Sequence, residues 1–175
     1  MSKLNGIYTI DAWHSSVNFS ARHIMISKVR GVFGTFTGSA LIASNDGNLS
    51  FEIDVKSVDT KNIERDDHLR GPDFFDAGRF PKITFTSDEI IVHTTERVEV
   101  QGELTIKDVT KPLNLIFLVS SESKDNFDNV RVGFESDFIL HRSQFGLNWN
   151  APLSIGGVLI SDEISIELDF STIKS

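Results

Sequence analysis

Cysteine is missing altogether from the 175 residues. Disulfides and thiolate metal sites are therefore excluded, and the redox compartment leaves no trace in the composition. Cationic residues are in deficit, with 17 Lys and Arg against 25 Asp and Glu for a formal charge of −8. That balance argues against a nucleic-acid partner, which needs a basic surface, and the net charge also disfavours adhesion to anionic lipid headgroups. No apolar run approaches the length of a spanning helix, so stable membrane insertion is not expected. The opening MSKLNGIYTIDAW sets no long apolar run behind its lysine, so it reads as no signal peptide and predicts a cytoplasmic location. Repeats, low-complexity tracts and Gly/Ser or Pro linkers are absent too, which predicts a single domain over residues 1–175.

Aromatics with a polar handle are scarce. The chain has 1 Tyr and 2 Trp but 14 Phe, and an interior built on Phe can be entirely dry.

The chain does have period-two alternation. Leu49, Phe51, Ile53 and Val55 interleave with polar neighbours, as do Val98, Val100, Gly102, Leu104 and Ile106. Val130 to Leu140 and Ile164 to Phe170 repeat the pattern. Each run predicts a strand with one wet and one buried face, as antiparallel sheets allow. Val17-Phe19-Ala21, Ile83-Phe85, Leu113 to Val119 and a bent, Gly-rich strand from Val29 to Ile42 bring the count to about eight. The fold class is all-β: a single antiparallel barrel, closed so that no edge is left exposed. Leu113 to Val119 is apolar on both faces through Ile116 and Leu118, so something is expected to cover its outside, and a partner subunit, as in a homodimer, would fit there.

One segment breaks the rhythm. Asp59 to Ser87 gathers acids, His68, Arg70 and Arg79 around Phe74-Phe75, and Gly71-Pro72 and Phe80-Pro81 divide it. It predicts a short helical insertion near residues 60–78, capped by Thr60 or Asn62 and stopped after Arg70, with the charges of Asp66 and Asp67 on a solvated outer face.

Catalytic patterns are weak. His14, His23, His68, His93 and His141 show no ligand-spaced pair, so no metal site is expected. Asp11, His14 and Ser15 have the residue types of a nucleophilic triad but no strand-to-helix nucleophile turn around them. Asp11 and Ser15 read instead as backbone caps at the turn between the first two strands. An enzyme or metal-binding barrel using His14 and its neighbours is the alternative reading. The favoured one is a non-enzymatic binding barrel. Strands of about ten residues at about 3.4 Å each run roughly 34 Å, a length suited to an aliphatic chain. The candidate pore lining, from the alternation and the insertion, is Phe19, Phe33, Phe36, Phe51, Ile53, Phe74, Phe75, Phe85, Leu104, Phe117, Phe134, Phe138, Ile166 and Leu168.

A family resemblance runs through Asp11-Ala-Trp-His-Ser-Ser-Val-Asn-Phe19 with His23, Val29-Arg-Gly-Val-Phe-Gly-Thr-Phe36, and Asp66-Asp-His-Leu-Arg70 with Asp73-Phe-Phe-Asp76. It continues through Phe80-Pro81, Phe85-Thr-Ser87, Gly102-Glu-Leu-Thr-Ile106, Thr110-Lys-Pro112, and Arg142 with Phe145-Gly146-Leu147. In that order the chain resembles the YceI-like, polyisoprenoid-binding family of lipocalin-like barrels. The resemblance implies an elongated barrel whose pore takes the tail of an isoprenoid quinone or polyprenyl phosphate. It further implies no covalent cofactor, a role in lipid transport, storage or metabolism, and often a dimer.

Overall fold

The computed structural model describes residues 4–43 and 47–175; Met1–Lys3 of the N-terminal stretch considered above lie outside them. Among the described residues twelve strands form one sheet: β1 (Gly6–Ile10), β2 (Ser16–His23), β3 (Ser27–Phe33), β4 (Phe36–Ile42), β5 (Gly47–Asp54), β6 (Val58–Asp59), β7 (Lys82–Thr94), β8 (Arg97–Ile106), β9 (Val109–Val119), β10 (Ser123–Lys124), β11 (Val130–His141) and β12 (Ile160–Lys174). Every pairing between them is antiparallel. The order β11-β9-β8-β7-β5-β4-β1-β12 returns to β11 through a further pairing, so eight strands close a barrel. Its inner face is the alternating apolar set, including Val98, Val100, Leu104, Phe117, Val132 and Phe134, whose burial supplies the main driving force for closure.

The Gly-rich stretch from Val29 to Ile42 is two strands rather than the single bent strand expected. Gly34-Thr35 makes a corner between β3 and β4, with the Gly34 N–H donating to the Ser57 carbonyl at 3.2 Å. β4 stays in the barrel beside β1 and β5, whereas β3 lies between β2 and β6. A second corner, the turn Ala12–His14, separates β1 from β2. The fifteen-residue β12 runs past both corners, pairing with β2 through its first part and with β1 through its last. The leaf β2-β3-β6 therefore extends one end of the barrel. Gly31 fits this leaf because a Cβ there would strike the Phe19 ring and the Thr60 methyl group.

The insertion sits at that same end. Helix α1 (Ile63–Arg70) is capped by Asn62, whose Oδ1 accepts from the Arg65 N–H at 2.9 Å. Asp66 departs from expectation. It is buried rather than solvated, and its Oδ1 accepts from the Thr60 N–H at 2.8 Å and the Thr60 hydroxyl at 2.6 Å. Arg70 donates to the carbonyls of Lys56 and Val58 at 2.9 and 2.8 Å. Asp67 keeps to the outside, with 70% of its side chain exposed. The reason for the difference is geometric: adjacent helix positions point about 100° apart, and the turn from β6 brings Thr60 back under one of them.

Candidate functional site: an apolar cavity with one polar end

The closed sheet surrounds a cavity of about 570 Å³. Of the fourteen candidate lining residues, all but Phe36 form its wall: Phe19 from β2, Phe33 from β3, Phe51 and Ile53 from β5, Phe85 from β7, Leu104 from β8, Phe117 from β9, Phe134 and Phe138 from β11, and Ile166 and Leu168 from β12. The insertion adds Phe74 and Phe75. Phe36 is buried without lining the cavity, its ring 6.0 Å from Phe51 and 6.2 Å from Phe170, and both of those residues do face the cavity.

The two ends differ. At the far end Tyr8 is fully buried, its hydroxyl donates to the Leu4 carbonyl at 2.8 Å, and burial pushes its pKa up. The charged residues and histidines that touch the cavity are Arg22, His23, Glu64, Arg65, His68 and Arg142. They come from the end of β2, from α1 and from the segment after β11, which meet at the end extended by the leaf. We call this the mouth.

The mouth is built from the insertion and the irregular segment before β12. The His68 ring stands edge-on to Trp149 at 4.7 Å and to Phe74 at 5.0 Å, and Phe75 meets Phe33 at 5.8 Å. Arg142 positions Trp149. Burial depresses its pKa, and it donates to four carbonyls: Ser161 at 2.9 Å, Leu147 at 2.6 Å, Trp149 at 2.8 Å and Ile160 at 3.3 Å. Placing four of its five N–H donors on backbone carbonyls offsets the desolvation of the guanidinium.

Sequence reasoning passed over several wall residues. Leu113 and Leu115 were visible in the alternation of β9, and Tyr8 lay in a short strand. Trp149 lies between elements, where no period marks it, and only its bulk in a Phe-rich chain hinted at burial.

The polar groups considered for catalysis are used structurally. The Ser15 hydroxyl donates to the Asp11 carbonyl at 2.7 Å and accepts from the Ser171 N–H at 2.9 Å. The Asp11 carboxylate accepts from Arg131 at 2.7 Å and pairs with His14 Nδ1 at 2.8 Å. The Arg131 hydrogen bond, followed by that of His14, holds the Asp11 carboxyl down at about 2. Arg131 also donates to Asp125 at 2.7 Å, a carboxylate held well below its usual range by Asn129 and Arg131. His93 pairs with Glu99, His141 with Asp162 and His68 with Asp73, each at the end of an element. Among the described residues no group of three metal-ligating side chains is gathered, and no helix is long and apolar enough to cross a membrane.

A closed antiparallel barrel around an apolar cavity defines a class of small-ligand-binding protein. The YceI-like domain family matches residues 8–172, and the chain belongs to that family. A UPF0312 protein of Staphylococcus aureus (strain MRSA252) is 35% identical over 164 residues, covering 91% of this chain and 93% of the relative. The Campylobacter jejuni YCEI protein superposes with a TM-score of 0.74 at 26% identity, over 88% of this chain and 90% of that one. The fold also matches Burkholderia cenocepacia BcnA, with a TM-score of 0.79 at 23% identity over 93% and 98% of the two chains. A polyisoprenoid binding domain from Saccharophagus degradans matches with a TM-score of 0.72 at 17% identity, over 96% and 98%.

Proposed function

We propose that this protein binds an amphiphilic lipid with a long isoprenoid tail, an isoprenoid quinone or a polyprenyl phosphate, and carries or stores it without acting on it chemically. The observation that carries this reading is the cavity, about 570 Å³ of apolar wall with its charged residues gathered at one end. An amphiphile lying tail-inward meets hydrocarbon along its length and polar groups at its head. A void of 570 Å³ left unfilled would cost on the order of 14 kcal/mol at about 24 cal/mol per Å³. That is as large as the whole stability of a typical domain, about 5–15 kcal/mol. Water gains little from walls that offer so few hydrogen-bond partners, so a hydrocarbon guest is the better filler. The polyisoprenoid binding domain with the same fold supports the choice of tail. On the outer face of β9, Ile116 and Leu118 are 37% and 61% exposed, which supports pairing of two copies.

Native mass spectrometry of freshly purified protein, with organic extraction of the same sample, tests the reading. The expected result is one lipid per chain whose fragments lose isoprene units. Protein that carries no lipid and takes up none from added polyprenyl phosphate or quinone would refute it.

A further inference from the structure

The hairpin of β2 and β3 at the mouth contradicts the charge of the rest of the molecule. No acidic residue occurs between Asp11 and Asp46, and Arg22, Lys28 and Arg30 lie in that interval. Arg22 stands directly opposite Lys28 in the ladder, and Arg30 is on the same strand face. All three are exposed, and among the described residues none of their side chains forms an ion pair. Like charges facing each other across a ladder destabilise a sheet. The nearby acids sit to one side of this row: Asp162 and Glu163 lie in the β12 bulge beside Arg22, with Asp162 taken by His141 and the Ser143 N–H and Glu163 in register with His141, while Asp59 lies on β6 and Glu64 and Asp67 on α1.

The tip itself is apolar and strained. The N–H of Ile26 bonds back to the His23 carbonyl, and the two central residues of this turn, Ile24 and Met25, hold φ of 55° and 59°. A turn with both central residues at positive φ calls for Asn-Gly, and a β-branched residue there is an outlier. Local preference is overridden to place aliphatic groups at the summit, where Met25 is 62% and Ile26 80% exposed. Beside them runs the 150–159 segment, tied to the hairpin by the Ile24 N–H to the Leu159 carbonyl at 2.8 Å, with Ile155 88% and Val158 43% exposed.

We infer that this apolar tip, with Arg22, Lys28 and Arg30 in a row on the hairpin face below it, docks the mouth onto an anionic lipid bilayer. Exposed aliphatics enter the interface while the cations meet the headgroups, the arrangement of a peripheral anchor. The net charge of −8 does not forbid it. Screening confines the surface field to about 10 Å at 0.1 M salt, so the hairpin's charges and those of its immediate neighbours, rather than the net charge, decide the contact. The inference rests on the proposed lipid-binding function, because a cavity opening onto the bilayer gives the guest a path that avoids water.

Vesicle flotation of the intact protein tests it, with phosphatidylcholine vesicles alone and with one third phosphatidylglycerol. The expected result is co-flotation with the anionic vesicles only, reversed near 1 M salt, where the screening length is about 3 Å. Each cation near such a surface contributes about fivefold in partitioning, so replacing Arg22, Lys28 and Arg30 with Gln weakens it about 100-fold. The pair Met25→Gly with Ile26→Ser removes the apolar tip while suiting the turn, and should lower binding at least tenfold with an unchanged melting temperature. Equal binding to both vesicle types, or full binding by the tip variant, overturns the inference. Native mass spectrometry of the same samples separates the two readings: lipid in the cavity without docking overturns this inference alone, whereas docking by a protein that takes up no lipid supports it and refutes the lipid-binding function.

Discussion

Ala21→Trp is the sharpest probe of the cavity as a tail-binding site. Ala21 is on β2, on the same face as Phe19 and His23, and lines the cavity where the barrel widens into the leaf. An indole placed there buries about 150–250 Å², worth about 4–6 kcal/mol at about 25 cal/mol per Å². Overpacking strain of about 1–3 kcal/mol subtracts from this, so the ligand-free variant should be more stable than ligand-free wild type. At about 2–4 °C per kcal/mol for a domain of this size, the melting temperature rises by several degrees. The guest loses a comparable contact area, about 5 kcal/mol, which weakens binding by three to four decades. Lipid content by organic extraction, titration with a fluorescent isoprenoid analogue and thermal melting of delipidated protein read the three quantities. Stability and affinity should move in opposite directions. A variant that keeps its full lipid complement, or one whose delipidated form melts well below wild type, would refute the reasoning, because either outcome means that the space beside Ala21 is not available to the tail.

Two further predictions concern the frame around the cavity. Asp66→Ala leaves the buried Thr60 N–H without its acceptor; a loss of about 1–3 kcal/mol is expected, with faster amide exchange through residues 60–80, while Asp67→Ala stays near neutral. Equal effects of the two would remove the argument that Asp66 anchors the insertion. The carboxyls of Asp11 and Asp125 are depressed in the fold, Asp11 to about 2. Their contribution to stability is therefore complete above the ordinary carboxylate range near pH 4 and lost as the pH falls toward 2. Arg131→Gln should lower the urea midpoint at pH 7 and flatten its decline between pH 4 and 2; curves running parallel to wild type would disprove the link.

The barrel was legible because its strands alternate. A side chain that faces inward at Phe134 requires one at Val132 and Phe138 as well, and a one-residue slip would put all of them in water. Thus Phe51 and Ile53 on β5, Phe85 on β7, Leu104 on β8, Phe117 on β9, Phe134 and Phe138 on β11, and Ile166 and Leu168 on β12 followed from period two, while other residues on the same strands were passed over. The split at Gly34-Thr35 was not legible, since three glycines in fourteen residues permit a bend anywhere and only the long-range bond to Ser57 decides where it falls. Asp66 escaped for a related reason. Next to Asp67 in sequence, it looks identical to it, and its burial depends on Thr60 returning beneath the helix.

The mouth shows most clearly what summed properties conceal. A charge of −8 argued against anionic membranes, and as an average it is correct. Averages, however, do not dock. Coulomb interactions with a surface reach only as far as the screening length, so what matters is the order of charges along the chain and the strand that carries them. That order was present in the sequence as an acid-free interval between Asp11 and Asp46. It acquires meaning only when the ladder sets Arg22 against Lys28 and the turn lifts Met25 and Ile26 above them, beside the mouth of the cavity.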